Sequence, residues 1–195
     1  MPLNIFEPRY LAMIDDALAT DRIIGLIQPR LAQEDEESPA GKSVPLRAIG
    51  GAGRITALQE TEDGRYLVTL TGVSRFVMQR ELQLAKPYRT GEVLFEGFRG
   101  DLIKGYGEEN VDRDHLLEVL KAYLEAQSLK ADWSSITRSS SEFLVNSLSM
   151  MSPYGPEEKQ ALLEAPDLKT RSEILVALAK MQLATPGDGS GSAMQ

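Results

Sequence analysis

Three short segments of this chain have the residue types of known chemistry. Gly41-Lys42-Ser43 ends like a phosphate-binding loop, in which backbone N–H groups cradle phosphate, lysine neutralises it and the hydroxyl holds Mg2+. That motif needs a further glycine five positions earlier, where this chain has Glu36 inside the acidic run Glu34-Asp35-Glu36-Glu37. The run repels phosphate, so the segment is expected to be a solvated loop. Gly51-Ala52-Gly53 begins like a dinucleotide fingerprint, but the third glycine position is Thr56. Arg54-Ile55-Thr56-Ala57-Leu58 follows with strand character where that motif needs a helix, so close backbone approach within a strand explains the glycines. His115, the sole histidine, stands beside Asp112 and Asp114 as a general base would, yet no serine occupies a Gly-x-Ser-x-Gly elbow. It is expected to be an ordinary surface histidine. The carboxylate pairs Asp15-Asp16 and Glu108-Glu109 are sequence neighbours whose side chains diverge, and solvated faces account for them. Ser139-Ser140-Ser141 suits helix capping or close packing. Trp133, the sole tryptophan, is expected to anchor a core. No catalytic residue, metal site or cofactor is expected.

Composition narrows the classes further. A chain of 195 residues with 42% hydrophobic and 26% charged residues suits one large or two small globular domains. Folding at this size buries roughly 70% of the unfolded surface, without need of a metal or disulfide staple. The absence of cysteine removes thiol nucleophiles, thiolate zinc sites and iron–sulfur clusters together. A net charge of −8 argues against general nucleic-acid binding. No apolar run approaches a membrane span, and Met1-Pro2-Leu3-Asn4-Ile5 lacks the marks of a signal peptide, so a soluble cytoplasmic protein is expected.

The chain changes character near residues 99–110. Residues 1–100 carry net −2 with arginine as the main base; residues 101–195 carry net −6 and favour lysine. Pro8, Leu11, Ile14 and Leu18 predict an opening helix. Ile23-Ile24-Gly25-Leu26-Ile27 predicts a buried strand stopped by Pro29. Strands are predicted at about 46–60, at 66–70 after the hairpin turn Asp63-Gly64, at 75–84 and at 88–96. Short strands around one helix imply a closed or nearly closed barrel. Beyond the change, Asn110 is expected to cap a helix carrying Leu116, Leu117, Leu120, Tyr123 and Leu124. A second helix is expected over 132–151 with Ile136, Phe143, Leu144, Leu148 and Met151 inward, a third from Pro156 with Leu162 and Leu163, and a fourth capped by Asp167. The fourth carries Leu168, Ile174, Leu175, Leu178 and Met181 inward. Residues 185–195 are rich in glycine and serine and are expected to be disordered.

Pro2-Leu3-Asn4-Ile5-Phe6-Glu7-Pro8-Arg9-Tyr10, followed by Met13-Ile14-Asp15-Asp16-Ala17-Leu18, closely resembles the amino-terminal domain of Lon-type ATP-dependent proteases. Further pieces follow in order: Gly53-Arg54-Ile55, Asp63-Gly64-Arg65-Tyr66, Leu70-Thr71-Gly72-Val73-Ser74-Arg75-Phe76 and Lys86-Pro87-Tyr88-Arg89. Phe143-Leu144-Val145-Asn146 and Glu158-Lys159-Gln160-Ala161-Leu162-Leu163-Glu164 resemble the helical part of small stand-alone Lon-domain proteins of bacteria. The resemblance implies an α+β fold: a PUA-like β-barrel with one helix over 1–99, then an α-helical bundle over 108–184 packed on the barrel. In full-length Lon this region helps to recognise protein substrates and to assemble the oligomer, whereas ATP hydrolysis and proteolysis belong to other domains, and this chain carries no Walker motif.

The expected function is therefore a non-catalytic module that binds polypeptide or a partner protein, linked to ATP-dependent proteolysis. An RNA-binding PUA-like module and a hydrolase with an unrecognised site are the alternatives. Net −2 over the barrel half is poor electrostatics for phosphate contact. The resemblance implies a Pro/Leu/Phe-rich strand and turn just before the segment that here starts at Met1; a start assigned too late, a truncation and a barrel that closes differently are the alternatives for its absence. A barrel without it is expected to present an open sheet edge to extended polypeptide or to a second copy. Ile5, Phe6, Phe95 and Phe98 are candidate apolar contacts beside that edge; filling of the core is the alternative for all four. Glu7, Pro8, Arg9, Tyr10, Gly72, Arg75 and Phe76 are the motif residues expected to be structural. Phe6, Tyr10 and Phe76 are expected to act as core or hinge anchors, and Arg9 and Arg75 to pair with carboxylates or carbonyls.

Overall fold

The computed structural model describes residues 1–30, 44–127 and 129–184. The Gly41-Lys42-Ser43 segment, the acidic run 34–37 and the tail 185–195 lie outside them. The chain divides into two units, Met1–Lys104 and Gly105–Gln195. The architecture is α+β.

The first unit is an antiparallel sheet carrying one helix. Its elements are β1 (Pro2–Ile5), α1 (Pro8–Leu18), β2 (Ile23–Leu26), β3 (Ile49–Glu60), β4 (Tyr66–Leu82), β5 (Thr90–Leu94) and a 3-10 segment, Glu96–Leu102. Strand order is β1-β4-β3-β2, and β5 also pairs with β4. β4 meets β1 along Tyr66–Thr69 and β5 along Val77–Leu82, so one long strand serves two edge strands in turn. Among the described residues no pairing joins β2 to β1 or to β5, and the sheet is an open path.

Three features of this unit differ from the sequence expectation. Residues 2–5 form a strand ahead of the helix. The two strands expected over 66–84 are one, because bulges turn the ladder without interrupting it: the register slips between Ala52 and Gly53 and again between Met78 and Arg80. The run Ile23–Ile27, expected to be buried, forms an edge strand in which Ile24 is buried and its neighbours are exposed.

Pro8 opens α1 at a position where its missing N–H costs nothing. The helix turns Ile14 and Ala17 onto Ile5, Ile24, Ile55, Val68 and Leu70 of the sheet. Two polar links fix it there. The Tyr66 hydroxyl donates to Asp15 Oδ1 at 3.0 Å, while Lys86 Nζ and the Tyr88 hydroxyl both donate to Asp16 Oδ2. Asp15 and Asp16 diverge as expected, but each is engaged rather than merely solvated. Phe76 is buried elsewhere in the sheet. A Cβ on Gly50 would stand 2.5 Å from the Phe76 ring and 2.7 Å from the Leu26 carbonyl oxygen, so this close approach admits only glycine.

The second unit is helical: a 3-10 turn Glu108–Asn110, then α2 (Arg113–Ala126), α3 (Trp133–Arg138), α4 (Ser141–Met151), α5 (Pro156–Glu164) and α6 (Leu168–Ala184). Leu116, Val145, Leu162, Leu168 and Leu175 form its buried cluster. The cap of α2 is Asp112, which accepts from the His115 N–H, not Asn110, whose side chain donates to Glu109. The helix expected over 132–151 is two, because Ser139 and Ser140 take extended backbone and Ser140 accepts from the Phe143 N–H to start α4. That break redirects the face, leaving Phe143 and Met151 exposed; Met181 on α6 is exposed as well. Trp133 is half-buried and stands outside the buried cluster. The expected starts of α5 at Pro156 and of α6 after Asp167 are observed, the latter with the Thr170 N–H donating to Asp167 Oδ1 at 2.7 Å. Among the described residues no helix is long and apolar enough to cross a membrane.

Candidate functional site

The edges of the sheet follow from its hydrogen-bond phase. In an antiparallel ladder, alternate residues turn both backbone groups toward the partner, and the rest turn theirs away. Met1 and Leu70 exchange both bonds, so Leu3 and Ile5 face β4, leaving Asn4 and the Pro2 carbonyl on the outer edge of β1. Pro2 has no N–H, which blunts this edge as a template. On β2 the Ile55 N–H donates to the Arg22 carbonyl at 2.8 Å, and the same alternation turns Ile24 and Leu26 toward β3. Ile23 and Gly25 therefore direct two N–H groups and two carbonyls outward, with no strand beside them among the described residues. Ile23 and Leu26 add exposed apolar side chains to this edge.

The candidate contacts from the sequence fall in two classes. Ile5 is buried in the sheet core, where it meets Tyr66 across the ladder. Phe98 is buried beneath the Arg75 guanidinium, which lies 4.4 Å from its ring centroid. Neither lies at the surface, because alternation points Ile5 inward and the 3-10 turn folds Phe98 under the arginine. Phe6 and Phe95 are exposed. Phe6 continues the blunted β1 edge, with Arg65 5.9 Å from its ring centroid; of the two expected roles, core or hinge anchor, its exposure excludes the core. Phe95 packs edge-on against Phe76 at 6.2 Å, and Phe76 in turn lies under Gly25 of β2. The sheet thus brings Phe95 toward the β2 edge and leaves Phe6 at the other. Ile23 and Leu26 are surface residues that the sequence pattern did not single out. Their run lacks the polar alternation that marks a one-sided strand.

Most of the motif residues make contacts within the sheet unit. Arg75 makes a bidentate pair with Asp101, Nε to Oδ2 at 2.9 Å and Nη2 to Oδ1 at 2.8 Å. Arg9 pairs with Glu7 and stands 4.5 Å over the Tyr10 ring, and Tyr10 packs partly buried against the core. Pro8 starts α1, and Phe76 is buried. Gly72 lies on β4 at a place where a Cβ would meet nothing within 4 Å, so space does not require glycine there. Arg80 pairs with Glu92, and Arg89 makes a double contact with Glu81. Cations so engaged with carboxylates form a poor surface for phosphates.

His115 lines a polar recess of about 210 Å³ with Asn110, Asp112, Lys169, Ser172 and Glu173. Its ring nitrogens are occupied: Nδ1 faces Glu118 at 3.3 Å and Lys180 Nζ meets Nε2 at 3.0 Å. Among the described residues no serine holds either nitrogen, so they do not form the geometry of a hydrolytic triad.

The model of the ATP-dependent protease La (LON) substrate-binding domain matches residues 1–180. The chain belongs to the Lon substrate-binding domain family. Lon protease 2 of Myxococcus xanthus is 27% identical over 188 residues, which is 91% of this chain and 21% of that protein. Lon protease of Anaeromyxobacter dehalogenans is 23% identical over 181 residues, again 91% of this chain and 21% of the relative. The chain thus spans about a fifth of the length of these curated relatives. Two solved structures share the fold. A Lon N-terminal domain protein from Xanthomonas campestris superposes with a TM-score of 0.59 at 21% identity, covering 95% of this chain and 89% of the other. The N-terminal domain of the Mycobacterium avium complex Lon protease gives 0.62 at 18% identity, covering 92% and 90%.

Proposed function

We propose that this chain is a non-catalytic module that binds extended polypeptide at the outer edge of β2, serving cytoplasmic ATP-dependent proteolysis of the Lon type. The observation that carries this reading is that edge. Ile23 and Gly25 present backbone donors and acceptors that a strand of any sequence satisfies, while Ile23, Leu26 and nearby Phe95 offer apolar contact. Main-chain pairing supplies affinity and the side chains supply a bias toward apolar segments, the combination that strand addition uses. The membership of a substrate-binding family supports the same reading.

The test is anisotropy of a labelled, permanently unfolded protein titrated with the full chain. Ile23→Lys and Leu26→Lys charge the edge as natural edge strands do against unwanted pairing. Each is expected to weaken binding about tenfold by removing desolvated apolar contact, with the circular dichroism spectrum unchanged. Equal binding by both variants overturns the assignment to β2, and absence of binding by the unaltered chain overturns the polypeptide reading.

A further inference from the structure

The helical unit contains a cavity unrelated to the sheet edge. It measures about 310 Å³ and is open on one side. Its wall is built by Leu116, Val119, Leu120 and Leu124 of α2, with Leu175 and Val176 of α6 among the residues opposite. Among the described residues none of the lining side chains is charged. An ion or a charged headgroup would lose its hydration there with no opposite charge to replace it, which favours a neutral occupant. An apolar cavity of roughly 150 Å³ already accepts benzene, so this one has room for a two-ring aromatic group.

The polar atoms and the mouth narrow the occupant further. Tyr123, Tyr154, Ser152 and Gln127 are the polar residues of the lining, and their side chains suit one neutral polar group on the guest. Burial pushes the Tyr154 phenol above its ordinary range, the nearby Tyr123 adds to this, and a hydrogen bond with Ser152 opposes it. At the mouth, Met151 is 81% exposed and Leu129 is 56% exposed, and both also line the cavity. Apolar surface thus continues outward past the opening. A free small molecule filling the cavity has no use for that rim, whereas a side chain carried on a polypeptide lays its flanking segment across it. Methionine sulfur also suits aromatic groups and varied neighbours.

We propose that this cavity is a side-chain pocket that takes one bulky neutral aromatic residue, tryptophan above all, of a bound polypeptide. The inference rests on the polypeptide-binding reading for the nature of the chain that presents the side chain, but it uses neither the β2 edge nor any residue of the sheet.

The test uses the full chain and two labelled peptides, Ser/Gly-rich with neutral flanks, one carrying a single tryptophan and the other alanine in its place. The tryptophan peptide is expected to bind at least tenfold more tightly. Met151→Glu on the exposed rim and Ala179→Met, which fills the cavity from its wall, are each expected to abolish that preference while leaving the thermal melt cooperative. Rescue of the preference by Met151→Leu confirms a role for the apolar rim. Equal binding of the two peptides overturns the pocket, as does a preference that survives Met151→Glu. Binding of N-acetyl-tryptophanamide as tightly as the peptide overturns the role of the rim and makes the cavity a small-molecule site. If Ile23→Lys abolishes binding of unfolded protein while the peptides remain indistinguishable, the pocket fails and the strand-edge reading stands.

Discussion

The two units hold themselves together with different partners for the same charges. In the sheet unit cations meet carboxylates: Arg75 with Asp101, Lys86 with Asp16, Arg89 with Glu81, Arg80 with Glu92. In the helical unit three of them meet backbone carbonyls, beside the surface pair Lys169–Glu173. Arg113 donates to the carbonyls of Ile136, Thr137 and Ser139 at the end of α3, Lys159 to those of Ser149 and Met150 on α4, and Arg171 to that of Leu162 on α5. The acids mirror this, with Asp112, Asp132 and Asp167 accepting from backbone N–H groups at helix starts. A strand spends its backbone groups in the ladder, so its side chains find one another across neighbouring strands. A helix leaves four N–H groups and four carbonyls unsatisfied at its ends, and side chains answer them. Acids and bases therefore need not balance in the helical unit, which fits its greater share of the negative charge.

The largest test of this contrast lies in the sheet unit. Asp101→Ala leaves the Arg75 guanidinium without its bidentate partner, at a site where the arginine side chain is only 9% exposed. The expected loss is about 3–5 kcal/mol, read from urea melts. Phe76→Ala, which empties the space under Gly25 and Gly50, is expected to cost about 3–5 kcal/mol as well. A loss below 1 kcal/mol for Asp101→Ala would mean that the pair is not what joins the 3-10 segment to β4.

Arg113→Ala is expected to cost about 1.5–3 kcal/mol, the range for hydrogen bonds to a charged group. The loss is smaller because water can reach part of the released α3 terminus. Arg113→Lys should recover less than half of it, since a point ammonium cannot span the acceptors that the guanidinium fork reaches. Full recovery by lysine would show that charge alone, and not geometry, closes the α3–α4 corner.

Further down the scale, Asp112→Ala should cost about 1 kcal/mol through loss of the α2 cap, while Asn110→Ala is expected to be nearly silent. Thermal melts of the two variants decide between the residue that caps and the one that the sequence suggests.

What was legible in the sequence follows the same physical line. Pro8 with Leu11, Ile14 and Leu18 announces α1, and Asp63-Gly64 announces the β3–β4 turn, because both signals are local. The bulges in β4 are not local. Gly72 looks like an interruption, and only pairing with β3 carries the strand through it. The outward turn of Phe143, Met151 and Met181 was hidden because the Ser139-Ser140 break resets the phase of α4, and because apolar residues on exposed faces look like core residues. Of the proposed contact residues, Phe6 and Phe95 reach the surface and Ile5 and Phe98 do not; burial there depends on ladder phase and on Arg75, from far along the chain. The β2 edge was hidden by its own composition, since Ile23-Ile24-Gly25-Leu26 has no polar position to mark an outer side.

The smallest expected effect is also the sharpest probe of the contrast between units. Hydrogen bonds from the Ser135 and Ser134 hydroxyls, with their backbone N–H groups, hold the Asp132 carboxyl down from an ordinary 3.8 to about 2. A depressed carboxyl contributes stability that is complete above its unfolded value and is lost as pH falls through the folded one. The contribution of the α3 cap should therefore fade between about pH 4 and pH 2, as the proton displaces the donors. Asp16 in the sheet unit is also held below its ordinary value, but chiefly by the Lys86 ammonium, with the Tyr88 hydroxyl second. Salt screens an exposed ion pair and leaves a hydrogen bond from a neutral hydroxyl largely untouched. In a carboxyl NMR titration, raising the salt should move the Asp16 midpoint upward while the Asp132 midpoint stays near 2. Ser135→Ala should raise the Asp132 midpoint at any salt. An Asp132 midpoint near 3.8 in the unaltered chain, or one that rises with salt as Asp16 does, would erase the distinction between carboxylates held by neutral donors at a helix start and those held by charge.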